Sequence, residues 1–541
     1  MQSGVNSMQS EIRLSIPVRD YEHLPKILSP FTDDRDIRAY FEKKTRKRLP
    51  KYCYFLKKSI DARHRNDIRI VVSALFSDRD LTDEILSPKL TGIHISDHSD
   101  KRVVVVGSGP AGLFATATLL RAGLRPILLE RGSDIDTRTD DVNKLKDAGL
   151  LNLQSNVQFG EGGAGTFSDG KLFSGVSDAR RDLVLRTFVK YGAPKTILYD
   201  AHPHIGTDLL RVVIRNMRED LVQNGAEVLF GRKLQGISVE NGTITSVTHV
   251  ASYNDSDSIC IPCAAVILAI GHSARDTFSM LADAGIELER KPFSVGVRIE
   301  HLQKEIDVSQ FGEMAESEIL RPANYKVVTS TSTGRKLYSF CMCPGGEVVC
   351  GASEENGVVT NGMSEYRRDK QNANSAMLVG VDETDYGSTS WDCGILFQRK
   401  LEKRAYEMGE KPYYAPAQRV GDFHLHQKTT SWGKVLPSYR PGVTMSNLWE
   451  ILPEEIARTI DDGLVLLEKK IRGFNDPDAV LTAVETRSSS PVRIRRDESG
   501  ECTSMRGLFP TGEGAGYAGG IMSSAIDGIR QSEALLQRYF C

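Results

Sequence analysis

The sequence predicts an α/β protein of several domains, and three observations carry that reading. "RVVVV" (102–106) is a continuous β-branched run, as expected of a parallel strand buried on both faces. It leads into a glycine turn, Gly107-x-Gly109-x-x-Gly112, then a helical segment "AGLFATATLLRAG" and a second strand "RPILLE". At 541 residues the chain also exceeds what one hydrophobic core supports. Together these describe a three-layer, Rossmann-like nucleotide-binding domain. It is joined by an inserted β-rich α+β domain and a small N-terminal α+β domain.

Taken in order, residues 1–98 form that small domain. "EIRLSIPV" reads as a strand, "DIRAYFEKKTRK" as a helix and "DIRIVVSALF" as a strand. Residues 43–69 carry eleven Lys/Arg against two Asp, a solvated helix face and docking surface that also suits RNA or another acidic partner. No aromatic stacking pattern accompanies the charge, which argues against nucleic acid. A polar hinge, "SDHSD" (96–100), precedes the main body. The nucleotide-binding domain occupies 99–290 and resumes at 486–541, with the inserted domain at 291–485. Thr207 is a candidate N-cap for a helix carrying Leu210, Val213, Ile214, Met217 and Leu221 on one face. Gly225 suits its end, and "AEVLF" is the strand after it. "LQGISVENGTITSVTHV" is a hairpin turning at Asn241-Gly242. "AAVILAIG" is a further buried strand. The inserted segment reads as irregular and rich in short strands, before a last strand "GLFPTGE" and a helix starting at Ile521.

Composition narrows the function classes. A net charge of −2 gives no global attraction to nucleic acid or anionic membrane. No apolar run approaches the length that spans a bilayer, and the start lacks a signal-peptide core. Nine cysteines, an odd number, fit reduced thiols in the cytoplasm.

The first glycine motif is the strongest chemical signal. Gly107 permits the tight turn, Gly109 lets backbone amides approach a pyrophosphate, and Gly112 lets the helix pack close to the strand. Glu130, eighteen residues beyond Gly112, can accept hydrogen bonds from ribose hydroxyls. A second copy, Gly514-x-Gly516-x-x-Gly519, follows a strand and precedes a helix. That helix ends the chain, so no second strand or ribose-binding acid follows and no second βαβ unit can be built. The expectation is one dinucleotide, touched from both ends of the chain.

"VGSGPAGLFAT" with "LLERG" resembles the flavoproteins with two dinucleotide folds related to glutathione reductase. "VQFGEGGAGTFSDGKL" (157–172), "LAIGHSARDTF" (268–278), "FCMCPGGEVV" (340–349), "ETRSSSPVRI" (485–494) and "LFPTGEGAGYAGGIMSSAIDGI" (508–529) are similar, almost residue for residue, to the bacterial uncharacterised FAD-dependent dehydrogenase family. The resemblance covers essentially all of 100–541 and takes in the N-terminal domain. It implies bound FAD and leaves the substrate open. It further implies contacts from Gly107, Gly109, Pro110, Ala111, Gly112, Glu130 and Arg131. A backbone-rich loop would add Gly162, Gly163, Thr166, Ser168 and Lys171. The amides of Lys233 and Leu234 would meet the adenine, with Gly271 and Arg275 near the pyrophosphate. Gly512, Glu513, Gly519, Gly520 and Ile521 would close over the FAD, with Glu513 at its ribityl or pyrophosphate region and the following helix N-terminus at the flavin, stabilising its anionic reduced form.

No second complete dinucleotide motif stands in 291–485, so NAD(P)H, if it is the electron donor, must dock without its own domain. The inserted domain is expected to cover the flavin and shape a small-molecule pocket. His204 is the candidate acid/base, and Cys341 and Cys343, two apart in a strand, are candidate redox thiols against the ordinary reading of packed thiols. Cys260 and Cys263 form C-x-x-C without a helix start to activate it. His202/His204 and His424/His426 lack the companions of a metal site, so no metal is expected. His272 suits a backbone contact. Arg487 and Arg493 suit an anionic substrate, an FAD phosphate or ion pairs. The chemistry expected is hydride transfer between an organic substrate and flavin N5, with non-covalent FAD. The alternatives are an RNA- or protein-binding factor with structural or redox-sensing FAD, and an FAD-dependent oxidase. Oligomeric state is not legible.

Overall fold

Strands Val103–Val106, Ile127–Leu129, Glu227–Leu229, Ala265–Leu268 and Leu508–Pro510 form one parallel five-stranded sheet. Val103–Val106 lies at its centre, with Ala265–Leu268 then Leu508–Pro510 on one side and Ile127–Leu129 then Glu227–Leu229 on the other. The computed structural model describes residues 9–22, 31–32, 35–86, 101–173, 175, 177–255 and 257–541; the "SDHSD" hinge lies outside them.

The β-branched run explains the layering, because successive strand residues face opposite ways. Val103, Val105, Leu128, Ile267 and Phe509 pack on Leu113, Phe114, Val213, Ile214, Met217 and Ile526 of the helices on one face. Val104, Val106, Ile127, Leu129, Val266 and Leu268 face Leu234, Val247, Ile261 and Phe278. Three of those four belong to a three-stranded antiparallel sheet of Arg232–Glu240, Thr243–Ala251 and Ile259–Pro262. Asn241 and Gly242, both at positive φ (53° and 74°), turn its first hairpin. Helix Thr207–Gln223 begins one residue earlier than an N-cap at Thr207 would place it. Gly206 is the cap, and the Thr207 hydroxyl donates instead to the Thr166 carbonyl at 2.7 Å.

Between Phe293 and Glu485 lie all the strands of an eight-stranded sheet, whose core runs Lys336–Cys350, Asn372–Val381, Phe293–Leu302, Val480–Glu485 and Ala415–Arg419. The strands are longer than the short ones expected, fifteen residues in Lys336–Cys350 and ten in Asn372–Val381. "CMCPGG" and "NANS" interrupt apolar alternation, which hides the full length of these strands in the sequence.

The N-terminal domain is a four-stranded antiparallel sheet ordered Gln9–Pro17, Arg69–Ser77, Tyr52–Asp61, Phe31–Thr32. Strand Tyr52–Asp61 falls inside the basic stretch, where Lys57 and Lys58 mask its pattern. It docks on the main body: the Lys58 amide donates to the Tyr199 carbonyl at 2.7 Å, and Phe55 packs on Tyr199 at 5.7 Å between ring centroids.

Candidate functional site

Parallel α/β sheets bind ligands outside the carboxyl ends of their strands. Here those ends open into a cavity of about 610 Å³ between the five-stranded sheet and the Ser339–Met342 segment of the eight-stranded one. Two helix N-termini, those of Pro110–Arg121 and Ile521–Tyr539, border it. Both caps, Gly109 and Gly520, lack a side-chain hydrogen bond to the first turn. Their amides and partial positive charge therefore suit an anion.

Close packing of glycines sets this geometry. A Cβ on Gly112 would lie 1.8 Å from the Gly107 carbonyl oxygen, and one on Gly107 would lie 2.3 Å from that of Ala269. A Cβ on Gly528 would lie 2.1 Å from the Ala111 carbonyl, so the two helices cross with backbones in contact. Both ends of the chain thus reach one cavity, and among the described residues the second glycine motif adds only an edge strand to the same sheet.

Of the residues named from sequence, Gly107, Gly109, Pro110, Ala111, Glu130, Arg131, Gly163, Ser168, Lys171, Leu234, Gly271, Glu513, Gly519, Gly520, Ile521 and Cys341 line the cavity, as do Arg487, His202 and His272. Others lie behind the lining. Gly162 is held by its amide, which donates to Ser108. Thr166 is fully buried, Gly112 sits under the turn, and Lys233 pairs with Asp255 at 3.0 Å. The Gly512 amide donates to Asp527 at 2.7 Å.

Two expectations need correction. Arg275 does not face a phosphate: its guanidinium is buried and donates to both Glu402 oxygens at 2.8 and 2.9 Å, with Glu354 as a further partner. His204 does not reach the cavity either. It is 3% exposed, its Nε2 pairs with the Tyr366 carbonyl at 3.1 Å, and burial, helped by Arg368, pushes its pKa down to about 3. The imidazole therefore sits behind the cavity lining rather than on it, which is not where the expected acid/base would stand. Cys343 is likewise fully buried, behind Cys341. Arg487 lines the cavity but donates to Glu402 at 2.9 and 3.1 Å. Arg493 stacks over Tyr517.

Glu130 carries a second surprise. Its carboxylate accepts from the Ser108 amide (2.8 Å) and hydroxyl (2.7 Å), the Gly132 amide (2.8 Å) and the Gly160 amide (3.1 Å). It ties the first turn to the "GEGG" loop. Arg138, overlooked in the sequence, completes that loop. It is fully buried and donates to the carbonyls of Asn156, Val157, Gly160, Glu161 and Gly163 at 2.5–3.2 Å. Nothing in "DIDTRTDD" announces this role, because its partners meet it only in the fold. Asp169 is a second organiser, pairing with Arg368 at 2.5 Å and with the Ser364 hydroxyl at 2.6 Å.

The site fits a dinucleotide. A Cβ on Gly271, Gly519 or Gly520 would meet nothing within 4 Å, so three lining glycines front open space. His272 Nδ1 stands 3.3 Å from Glu513, and its buried Nε2 has no protein partner. Among the described residues no cluster of three potential metal ligands occurs, and no helix is long and apolar enough to cross a membrane. Cys263 is buried with its pKa pushed up to about 12, and His424 pairs with Asp461 at 2.5 Å.

Residues 292–488 match the family described as FAD-dependent protein, C-terminal domain-like. By fold, the chain is similar to a glycerol-3-phosphate dehydrogenase from Bacillus halodurans complexed with FAD (14% identity, 82% of this chain, 65% of that one, TM-score 0.34). It is similar also to a geranylgeranyl bacteriochlorophyll reductase-like protein from Thermoplasma acidophilum (13%, 81% and 80%, TM-score 0.35). An uncharacterized protein of Clostridium beijerinckii is 44% identical over 497 residues, 90% of this chain and 92% of that protein. The chain therefore belongs to one family with that Clostridium protein and carries, at 292–488, the domain of FAD-dependent proteins.

Proposed function

We propose that this protein is an FAD-dependent oxidoreductase acting on a small organic substrate. The observation that carries the reading is the convergence of two open helix N-termini and three unfilled glycine positions on one cavity at the strand ends. Amides of the Gly109–Ala111 turn would hold the pyrophosphate, with Leu234 and Arg131 at the adenosine end. Gly271, Glu513 and the Gly519–Ile521 turn would meet the flavin end. When bound, FAD would supply hydride acceptance or donation at its N5.

The chain's own contribution to the substrate side is electrostatic. Lys171 keeps its ammonium charged, its pKa held up by Cys343, Asp169 and Cys341 against burial. Arg368 adds a second cation paired with Asp169, so two cationic side chains stand at this wall as hydrogen-bond donors. Phe173 and Phe340, both exposed, line the same cavity. The wall suits a substrate with an anionic group and an apolar body. On that side His202 is a candidate base, and the ammonium groups of Lys171 and Lys326 are candidate proton donors.

Anaerobic mixing of the yellow protein with NADH or NADPH tests the donor. Fast bleaching of the flavin identifies a nicotinamide reductase; an unchanged spectrum directs the search to organic donors. Purification without flavin would overturn the reading.

A further inference from the structure

Cys341 and Cys343 are not arranged as an ordinary strand would arrange them. The register of Lys336–Cys350 against Asn372–Val381 breaks between Phe340 and Cys343, and Cys341 sits in the break at a φ of +43°. Extended backbone holds the side chains of residues i and i+2 too far apart for ready disulfide closure. The bulge removes that strict alternation, and the Cys343 thiol turns back onto residue 341, where its Sγ donates to the Cys341 carbonyl at 3.2 Å.

The bulge is held from behind. Arg298 Nη1 and Cys343 Sγ both donate to the Cys341 carbonyl at 3.2 Å, and the Lys171 ammonium donates to the Met342 carbonyl. Arg298 is itself fixed by two 3.0 Å bonds to Glu485. Cys341 is partly open and lines the cavity, whereas Cys343 is sealed behind it. That is the arrangement of an attacking thiol and a resolving one.

We propose that Cys341 and Cys343 form a dithiol–disulfide couple in the cavity wall, a second redox centre that rests on the flavin reading above. Closure breaks two S–H bonds and forms one S–S bond; the two electrons and two protons pass to the oxidised flavin.

The thiol chemistry agrees. The Cys343 hydrogen bond, with Lys171 and Arg298 nearby, draws Cys341 down to about 6, while Cys343 is pushed up. Burial pushes Cys263, Cys350 and Cys393 up instead, as for inert packed thiols.

The test uses the full-length purified protein. Treatment with diamide, then iodoacetamide and trypsin, should yield a 337–367 peptide two hydrogens lighter, with the bridge between Cys341 and Cys343 and with Cys350 alkylated. Both thiols alkylated, or a bridge to Cys350, would overturn the proposal. Without oxidant, Cys341 should alkylate with a midpoint near pH 6, and Cys343→Ala should raise that midpoint; an unmoved midpoint counts against the pair. In the yellow protein, anaerobic dithiothreitol should bleach the flavin, and Cys341→Ser should slow bleaching by about tenfold or more while flavin content is retained. Equal rates would overturn the couple. A colourless preparation would remove the flavin reading alone, since the mass of the peptide is read independently of it.

Discussion

Glu130 accepts from four donors on three loops, so its carboxylate acts as a clamp before any ligand arrives. Glu130→Gln replaces one acceptor oxygen by a donor and leaves buried amides unsatisfied, at about 1–3 kcal/mol. The expected result is a lower thermal midpoint together with a lower flavin-to-protein ratio after gel filtration. Loss of neither would sink the clamp. Glu402 is the second such residue: it is fully buried between Arg275 and Arg487, which hold its carboxyl far below the usual range. Glu402→Gln leaves two buried guanidinium groups short of a partner, a loss of about 3–5 kcal/mol at neutral pH. Because the folded pKa is depressed, this stability is present above the unfolded carboxylate value and disappears as the pH falls below it. The variant and wild type should therefore converge in acid, measured as urea midpoints across pH. His204 gives a separate signature. Its folded pKa of about 3 lies below the unfolded 6.5, so the unfolded chain binds the proton first. Stability from this group is full above pH 6.5 and declines toward pH 3, by at most about 1.4 kcal/mol per pH unit. His249 and His301 are shifted the same way and add to the slope. His204→Gln should flatten the urea-midpoint profile between pH 6.5 and 5 by up to one proton's worth.

At the level of elements, the cavity depends on how closely two helices cross. The helix Ile521–Tyr539 meets Pro110–Arg121 with Gly528 against the Ala111 carbonyl, where even a methyl group would stand 2.1 Å away. Gly528→Ala must push the helices apart, at about 1–3 kcal/mol of overpacking, and swing the Gly520–Ile521 turn off the cavity. Reduced flavin retention with little change in helix content by circular dichroism is expected. Unchanged retention would mean the C-terminal helix does not help set the site. This close approach also shows what sequence could reveal. The β-branched run at 103–106, the Asn241-Gly242 turn and the glycine motifs were legible because each depends on local backbone conformation. Strand Tyr52–Asp61 was hidden by Lys57 and Lys58, whose charge overwrote its alternation. The strand at Cys341–Cys343 was legible, but its full length, Lys336–Cys350, was hidden by Pro344, Gly345 and Gly346. The burial of His204 and Arg275 was hidden for a different reason. Tyr366, Arg368, Glu354 and Glu402, which immobilise them, lie from 79 to 164 residues away in the chain. Arg138 escaped notice likewise, since it binds carbonyls, which every residue offers.

For the whole molecule, the question is what the N-terminal domain adds to a site it does not line. Every residue lining the cavity lies at or beyond Val106. The domain's apolar side chains, with Phe41 against Phe76 at 5.2 Å, belong to the same buried cluster as those of the eight-stranded sheet, and it seats strand Tyr52–Asp61 on Tyr199–Ala201 through two backbone hydrogen bonds and the Phe55–Tyr199 contact. Nine of the eleven cations in 43–69 are exposed, and the two that are less so, Lys58 and Arg69, are tied to the docking strand and to Asp67. Removing residues 1–98 uncovers Tyr199 and the strand contact, worth about 1.5–3 kcal/mol for each large apolar side chain exposed. The truncated chain should unfold at a lower temperature yet keep the flavin-to-protein ratio of the full chain. If it folds but loses its colour, the domain shapes the cavity through Tyr199 and the Asp200–His204 segment, and its role is structural support of the site. The same pair of proteins separates the remaining function. Labelled single-stranded RNA should bind the full chain no more tightly than the truncated one, because the exposed cations come without stacking aromatics. A tight, salt-sensitive complex with the full chain alone would instead make 43–69 a nucleic-acid surface and the oxidoreductase a two-function protein.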